Sequence, residues 1–456
     1  MLLEFRPQLD HEDLSDKTLL HFTSANTTRV ILRLLVNAGA KVDGLNNIGE
    51  SPISRAVHLG NVDAVRYLLT KPAARLTINN VGDNGAPLHV ACRYTTMEMA
   101  KTLIDNGADV NLYYDDGLGS TAPISYACTR EGDNFDPEKD KLIMYLLEGT
   151  SADITGKEDE SNSIHVASLA CSADLIRLFI MHRVDTQLRD QIGRRTVHLA
   201  CYNSLEALEA LNPSDQDFTA RDKLGRVPLH FAVLSGQLDL LEHVLERSKA
   251  AGLDIDVTDN DGWTPLLWAA RGLAVYKWDL DERDPRANEV TQFLLDNKAD
   301  PCTRGHVYRE RKRTQDEQWS AGTIAAYHGL PDLADALDDA HVNPSGRMIS
   351  RSRISNNEYK KEHARLRRTI GEAWRGFYCV GCYLTLHGTY FVCDKCSFYL
   401  CFKCYRSKEA LHPHHDFEVN DGETSYKPNR VQFRANDEYR GEDSLDDEVI
   451  SSDEDL

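Results

Sequence analysis

The chain has 456 residues, of which 41% are apolar, and a net charge of -20 at pH 7. This length predicts two to four domains with an ordinary supply of core-forming residues. No apolar run approaches the roughly 18 residues that a membrane-spanning helix needs. We therefore expect no membrane association and an intracellular protein, cytoplasmic or nuclear. The acidic balance disfavours nucleic-acid binding by most of the chain and favours basic partners.

The charge is unevenly distributed near the C-terminus. Residues 437–455 carry ten acids against one arginine, whereas residues 346–376 carry nine basic residues against three acids. The first stretch lacks the apolar content to fold, so a disordered acidic tail is predicted over 436–456. The basic stretch has one apolar stripe at helical spacing, which predicts a helix within a linker over 341–376. We interpret this helix as a solvated connector, with nucleic-acid binding or nuclear import as alternatives.

One sequence unit recurs through the N-terminal part of the chain. Two clear copies are Gly85-Ala-Pro-Leu-His89-Val-Ala and Gly225-Arg-Val-Pro-Leu-His230-Phe-Ala. With the histidine position as register, the copies follow at intervals of 33, 35, 36, 40, 33, 32 and 37 residues. The glycine predicts a turn at positive φ. In other copies of the unit, Ser or Thr stands before Pro, which predicts a helix N-cap. A second apolar stripe after the unit predicts a second helix. Neither helix can bury its face alone, so the units must stack into a solenoid.

The unit resembles the ankyrin repeat. The resemblance implies a mainly α fold over 1–340, a solenoid of helix-turn-helix units joined by hairpins. We count eight clear repeats and a degenerate ninth around His328, which would cap the stack. The resemblance also implies that the recurring histidine bonds neighbouring backbone, and the cysteine three residues later is interpreted as a core residue. The histidines are His21, His89, His165, His198 and His230, and the cysteines are Cys92, Cys128 and Cys201.

Two repeats carry insertions, at 129–138 and 273–287, and an irregular, mostly charged stretch at 304–319 precedes the last repeat. Insertions on a solenoid tend to carry function. Tyr276 and Trp278 lie on the second insertion, and we predict that they bind a partner, because aromatic residues are enriched at interface hot spots. Trp268 is instead predicted to pack in the core.

Potential metal ligands occur in four pairs between Cys379 and His415. The Cys-x-x-Cys spacing lets both thiolates reach one tetrahedral zinc ion at about 2.3 Å, so four pairs predict two closed zinc sites. The segment is too short to bury a sufficient core, and metal binding should therefore supply its folding energy. Disulfides are disfavoured because no secretory signal is evident, and an iron-sulfur cluster would leave the histidines without a role.

This pattern resembles a ZZ-type zinc finger, which we place at 377–420. In that family the pairs interleave as a cross-brace, the first with the third and the second with the fourth. Eight protein ligands would fill all coordination positions of two tetrahedral zinc ions, which leaves no position for a catalytic water. No catalytic residue is predicted. Carried over, one ion would be held by Cys379, Cys382, Cys401 and Cys404, and the other by Cys393, Cys396, His412 and His415, with His414 as the alternative to His415.

The same resemblance implies that the finger binds a peptide, often a free protein N-terminus, through acids beside the metal pairs. Asp394 is the one acid within the cysteine core, which departs from the usual acidic pattern. Tyr390, Phe398 and Tyr399 are the aromatic candidates for peptide contact, or else they form a small core. We predict peptide binding through these four residues.

Together these features predict a non-enzymatic, monomeric adaptor or scaffold. The solenoid would hold one protein partner, basic or aromatic-anchored, while the finger holds a peptide, and sharing one chain raises the effective concentration of each site. Two alternatives are a recognition component of a ubiquitin or degradation pathway and a chromatin-associated binder acting through 346–376. The repeats are expected to fold independently of the finger, since solenoid stability is a nearest-neighbour property.

Overall fold

The computed structural model describes two stretches of the chain. They exclude both the linker helix predicted over 341–376 and the acidic tail predicted over 436–456. Within the described stretches no helix is both long and apolar enough to cross a membrane. The described residues are 12–337 without 23–28, 95, 116–119, 130–136, 156–161, 273–285, 308–316, 329, 331–332 and 335, and 379–420 without 380, 382–385, 387–389, 394–397, 402 and 414.

Short helices follow one another through the N-terminal stretch, and most of them form pairs. Pro52 and Pro265 begin two of these helices, each preceded by a hydroxyl side chain that accepts a main-chain N–H, as the sequence predicts. The helices are α1 (Arg29–Asn37), α2 (Pro52–His58), α3 (Val62–Leu69), α4 (Pro72–Arg75), α5 (Pro87–Tyr94), α6 (Met97–Asp105), α7 (Pro123–Cys128), α8 (Pro137–Gly149), α9 (Ser163–Ala170), α10 (Ala173–Met181), α11 (Thr196–Asn203), α12 (Leu205–Leu211), α13 (Pro228–Ser235), α14 (Leu238–Ala250), α15 (Pro265–Ala269), α16 (Arg286–Asp296) and α17 (Ala321–Tyr327).

The paired helices stack into two layers. The first helices of the pairs, from α2 through α5, α7, α9, α11, α13 and α15, pack side by side, and so do the second helices from α3 to α16. Apolar side chains from both layers fill the space between them. The prediction of a mainly helical stack is therefore confirmed.

A polar turn precedes many of the first helices, and the turn at Asp222 is typical. One oxygen of its carboxylate accepts the main-chain N–H groups of Leu224 at 3.0 Å and Arg226 at 2.8 Å. Gly225 within the turn has φ +80°, and a Cβ atom there would lie 2.1 Å from the side-chain oxygen of Asn260. Only glycine meets both conditions without strain, which confirms the predicted role of this position.

The recurring histidines join each repeat to the segment that follows it. Nδ1 of His198 accepts the main-chain N–H of Arg195 at 3.1 Å, and Nε2 lies 2.9 Å from the carbonyl of Ala220. Equivalent pairs of contacts are made by His21, His89, His165 and His230. Burial lowers the pKa of His198 to about 4, so its ring is neutral and accepts at Nδ1. The structural interpretation of these histidines is confirmed.

The recurring cysteines are core residues. Cys92, Cys128 and Cys201 are fully buried. Burial raises the pKa of the Cys92 thiol to about 12 and raises that of Cys201 further. A thiol that stays protonated is a poor nucleophile. The interpretation as inert packing residues is confirmed.

The sequence predicts an irregular stretch over residues 304–319, and this prediction is wrong at both ends of the stretch, where the described residues form strands. Residues 308–316 lie outside the described residues. Strands β3 (Arg304–Val307) and β4 (Glu317–Ser320) pair antiparallel, with Gly305 opposite Trp319. Val307 and Trp319 are buried. The sequence signal for a strand is weak because each strand has four residues and the segment between them is charged. A smaller hairpin joins β1 (Tyr114–Asp115) and β2 (Ser120–Thr121).

The C-terminal stretch contains a small three-stranded sheet. Strand β5 (Tyr390–Cys393) lies between β6 (Phe398–Cys401) and β7 (Glu418–Asn420), and both pairings are antiparallel. A 3-10 helix at Cys404–Ser407 and helix α18 (Lys408–Leu411) connect β6 to β7. This unit is called the finger below.

The buried neutral histidines predict a loss of stability in acid. The pKa of His198 is about 4 in the folded chain, and an unfolded histidine has a pKa of about 6.5. Between these values only the unfolded chain takes up the proton, so the free energy of unfolding falls as the pH drops from about 6.5 to about 4, by up to about 3 kcal/mol for such a histidine. Above this window His198 makes no pH-dependent contribution.

Urea unfolding followed by circular dichroism between pH 4.5 and 7.5 measures this dependence. Within this window, the slope of the unfolding free energy against pH should be smaller in the His198→Gln variant than in wild type. The difference should correspond to the uptake of about one proton on unfolding. Comparing the two proteins cancels the contribution of every other titrating group. Equal slopes would contradict the neutral, buried state of His198.

Candidate metal centre and its contact with the repeats

The register of the finger sheet places potential metal ligands at both ends of β5. Cys401 at the end of β6 lies opposite Tyr390, the first residue of β5, whereas Cys393 is the last residue of β5. At about 3.3 Å per residue, these positions are about 10 Å apart along the strand. Two separate ligand groups therefore form.

The first group, called the cysteine group, consists of Cys379, Cys401 and Cys404. Their sulfur atoms lie within 4.8 Å of one another, and all three residues are buried. Cys404 begins the 3-10 helix that follows β6, so the two-residue gap turns both thiols of the pair to one point. Cys382, the predicted fourth ligand, lies outside the described residues.

The second group, called the histidine group, consists of Cys393, His412 and His415, whose ligand atoms also lie within 4.8 Å of one another. Strand β7 pairs with β5 near Cys393 and so brings the preceding histidine segment to that end of the sheet. Nε2 of His412 and Nδ1 of His415 are 3.2 Å apart. Cys396 and His414 lie outside the described residues.

Both groups have the donor chemistry and spacing of a metal site. Two nitrogen ligands of one tetrahedral ion, each at about 2.0–2.1 Å from it, are separated by about 3.3 Å, close to the distance between the two histidine nitrogens. Thiolate and imidazole are the ligands that zinc prefers. Each group can hold a metal ion.

The predicted peptide-binding residues are only partly described. Tyr390 is 1% exposed and Phe391 stacks on Tyr405 with ring centroids 3.6 Å apart, so these rings form the core of the finger. Tyr390 is thus unavailable to a peptide in this conformation, and Tyr399 is half-buried beside it. Phe398 lies in β6, but its side chain is not described. Asp394, Tyr276 and Trp278 lie outside the described residues.

Arginines of the repeats approach the cysteine group. Arg271, which follows α15, donates from Nη2 to the sulfur of Cys401 at 3.4 Å. Arg226 is fully buried; burial alone would lower its pKa, but the Asp222 carboxylate and the Cys404 sulfur raise it above its ordinary value. These positive charges favour the thiolate form of the cysteines, which is the form that binds metal.

Lys403 of the finger makes a fully buried contact with the repeats. Its side chain is fully buried, and its ammonium group lies 3.1 Å from Oδ2 of Asp259 and forms a second ion pair with Asp261. The same group lies 5.5 Å and 5.6 Å from the ring centroids of Trp263 and Trp268. Asp259, Asp261, Trp263 and Trp268 are called the acidic recess below.

Further contacts hold the recess in shape. Nε1 of Trp268 donates to Oδ2 of Asp259 at 3.0 Å, and Nε1 of Trp263 donates to the carbonyl of His306 in β3 at 2.9 Å. Arg406 of the finger adds an ion pair with Asp261 at 2.8 Å. Burial alone would raise the pKa of Asp259, but the positive charge of Lys403, together with His230 and the main-chain N–H groups of its own turn, outweighs this effect and the pKa is lowered.

The expectation that the repeats do not depend on the finger is therefore wrong in its premise. Buried apolar residues of the last repeats and of the finger belong to one continuous hydrophobic cluster, which runs from Ile192 to Leu411. The finger is not a remote appendage, because Lys403 and Cys401 both contact repeat side chains. Nearest-neighbour coupling consequently extends from the last repeats into the finger.

Comparison with known proteins agrees with the repeat geometry. A family model described as ankyrin repeats (3 copies) matches residues 20–114 and 198–304. The chain contains ankyrin repeats. This match does not include the finger. The resemblance of the finger to a ZZ-type zinc finger rests on its ligand pattern alone.

Several proteins are similar to parts of this chain. An ankyrin repeat domain-containing protein of Stachybotrys chartarum is 28% identical over 194 residues, which are 41% of this chain and 9% of that protein. The human transient receptor potential cation channel subfamily A member 1 is 28% identical over 288 residues, 59% of this chain and 24% of the channel. Human neurogenic locus notch homolog protein 2 is 30% identical over 132 residues, 28% of this chain and 5% of that protein. The chain thus matches less than a quarter of the length of each relative named here.

Sequence reasoning missed the residues that join the finger to the ankyrin repeats, namely Lys403, Asp259, Asp261 and Arg271. A signal for one of them was present. The turns that begin at Asp190 and Asp222 read Asp-x-x-Gly-Arg, whereas the turn at Asp259 reads Asp-x-x-Gly-Trp. The missing arginine marks a carboxylate that needs a cation from elsewhere.

The contact between Arg271 and Cys401 predicts that a repeat residue tunes metal binding. Arg271→Met keeps most of the aliphatic stem and removes the donor, and it should weaken metal binding at the cysteine group about ten-fold, as is typical for loss of a hydrogen bond to a ligand. Titration with Co2+, followed by thiolate-to-cobalt absorption and competed with a chelator, measures the affinity. Arg66→Met, a half-exposed arginine paired with Glu98, is the matched control. Equal affinities in wild type and Arg271→Met would contradict the role.

Proposed function

We propose that this chain is a non-enzymatic adaptor, in which the ankyrin array holds one protein partner and a ZZ-type zinc finger binds a peptide or protein terminus. Ankyrin repeats indicate a protein-interaction role. The finer assignment is supported by the way the chain uses its reactive side chains. Inside the described repeats, the recurring histidines bond main chain and the recurring cysteines are buried thiols with raised pKa. These groups stabilise the stack, which leaves its surface for partners.

The charge of the array supports a basic or aromatic-anchored partner. The chain carries 72 acidic against 52 basic residues, and the most basic stretch, 346–376, lies outside the repeats. An acidic surface attracts basic partners and repels nucleic acid at ordinary ionic strength. The adaptor is proposed to act as a monomer.

The finger is proposed to hold two zinc ions in a cross-brace. The two ligand groups of the structure pair the first cysteine pair with the third and the second with the histidines, which is the order that a cross-brace requires. With Cys382 and Cys396 as the fourth ligands, both donor sets would be closed and all-protein, which is typical of structural rather than catalytic zinc. The proposed ligands are Cys379, Cys382, Cys401 and Cys404 for one ion, and Cys393, Cys396, His412 and His415 for the other.

The peptide surface must lie away from the repeats. Lys403 is fully buried against the acidic recess and Arg406 is mostly covered, so the finger cannot offer this face to a second ligand. Tyr399 is half-buried in β6 and lies 6.2 Å, ring to ring, from the buried Tyr390. Together with Asp394, it is the proposed contact for a peptide.

Native mass spectrometry tests the zinc assignment. The intact chain should carry two zinc ions, and Cys393→Ser should carry one fewer because it removes a thiolate from the histidine group. Cys302→Ser is the matched control, since this cysteine is exposed and lies in the repeats. One zinc ion or none in the intact chain would contradict the cross-brace.

Proximity labelling in cells tests the adaptor role. The intact chain should label two sets of proteins, of which Cys393→Ser loses the set that depends on the finger and keeps the set that binds the N-terminal repeats. Cys302→Ser should retain both sets. A label set unchanged by Cys393→Ser would show that the finger has no partner of its own, and the adaptor proposal would fail.

A further inference from the structure

Buried carboxylates recur at one position of the ankyrin turns, and each has a cation nearby. Oδ2 of Asp190 pairs with Nη2 of Arg194 at 2.6 Å, and Oδ2 of Asp222 pairs with Nη2 of Arg226 at 2.7 Å. The other oxygen of each carboxylate accepts two N–H groups of its own turn. Each of these two turns therefore uses one carboxylate oxygen as its acceptor and neutralises the carboxylate with the arginine four residues later.

The next turn keeps the carboxylate but not the arginine. Oδ1 of Asp259 accepts the N–H groups of Asp261 at 2.9 Å and Trp263 at 3.0 Å, in the same arrangement. The position four residues after Asp259 is Trp263, which has no positive charge to give Oδ2. Asp259 and Asp261 are 5% and 7% exposed, so water does not replace that charge.

We propose that the acidic recess is a lysine-binding site of the ankyrin array whose occupant is Lys403 of the chain's own finger, so that the finger stabilises the repeats on either side of the recess. The ammonium group of Lys403 pairs with Asp261, 142 residues away in the sequence. It also pairs with Oδ2 of Asp259, the place that an arginine fills in the two preceding turns.

The shape of the recess explains why the occupant is a lysine. Two carboxylates and the faces of two indole rings surround one compact point charge, and both carboxylates and indoles attract a desolvated ammonium group. Removing the cation leaves two buried carboxylates with one partly exposed arginine, Arg406, beside Asp261. An uncompensated buried charge is strongly destabilising, whereas a paired one is tolerated.

The same contact links metal binding to the stability of the repeats, and this link rests on the proposed zinc finger. Lys403 lies between Cys401 and Cys404 in the sequence, and both cysteines belong to the cysteine group. The metal that orders these thiolates thereby holds the backbone that presents the lysine. Loss of metal should release Lys403 from the acidic recess and destabilise the repeats beside it, because metal binding and folding are coupled in small metal-dependent units.

A double-mutant cycle between Lys403 and Asp259 tests the proposal. Asn46 occupies the Asp259 position in an earlier turn and accepts the same two main-chain N–H groups, so Asp259→Asn preserves the turn. All five tryptophans lie at or after position 263, and tryptophan fluorescence therefore reports on the C-terminal repeats and not on the N-terminal ones. The thermal midpoint of this signal is measured for wild type, Lys403→Met, Asp259→Asn and the double variant.

Lys403→Met should lower the midpoint by about 5 °C or more, the size expected for breaking a buried charge pair in a domain of this size. The double variant should recover part of this loss, since it has one buried carboxylate fewer to leave unpaired. Lys408→Met is the matched control, because Lys408 belongs to the same finger but contacts Tyr405 and Glu409, and it should leave the midpoint unchanged. Additive effects of Lys403→Met and Asp259→Asn, or an unchanged midpoint in Lys403→Met, would overturn the proposal.

Zinc content, measured on the same samples by mass spectrometry, separates this proposal from the zinc assignment. Chelation should lower the midpoint of wild type and have a smaller effect on Lys403→Met, whose finger is already uncoupled from the array. If wild type contains no zinc, the zinc assignment fails while the double-mutant cycle still decides whether Lys403 in the acidic recess stabilises the array. If wild type contains zinc and chelation leaves its midpoint unchanged, the link between metal and array is refuted.

Discussion

The ion pairs of Lys403 with Asp259 and Asp261 join the two parts of this protein. An ammonium group with no exposed surface lies between two carboxylates that are themselves nearly covered. Such an arrangement is stable only when all of its members are present, because the loss of one leaves the others buried without compensation. The same ion pairs join the backbone between Cys401 and Cys404 of the cysteine group to the turn that precedes α15.

The ankyrin repeats show how polar groups can specify a stack without weakening it. Each buried aspartate satisfies two N–H groups of its own turn with one oxygen and takes a positive charge with the other, and each neutral histidine connects two main-chain segments. Every such group belongs to a short-range pattern, so each repeat is bonded mainly to its neighbours. The finger is joined to the repeats by similar contacts. Lys403 of the finger pairs with Asp259 of the repeats, and Arg271 of the repeats donates to the sulfur of Cys401 in the finger.

Sequence reasoning predicted what is periodic and local. The repeat length and the four pairs of metal ligands follow from spacing that can be counted along the chain. The histidine contacts and the interleaving of the ligand pairs are instead what the resemblance to the ankyrin repeat and to the ZZ-type finger implies. The hairpin at β3 and β4 was missed because four-residue strands carry little pattern. The ion pair of Lys403 with Asp261 could not be predicted, because a pairing across 142 residues depends on how two folded units meet. Only the absent arginine at Trp263 indicated that something was missing.

Hydrogen exchange with and without metal tests most directly whether the last repeats depend on the finger for their stability. Removing the metal should reduce protection in the finger and in α13 to α16, which lie next to the acidic recess, while α2 to α10 keep their protection, since coupling in a solenoid passes through neighbours. Loss of protection confined to the finger would contradict the account, because the repeats would then be stable without the lysine that completes their last turns.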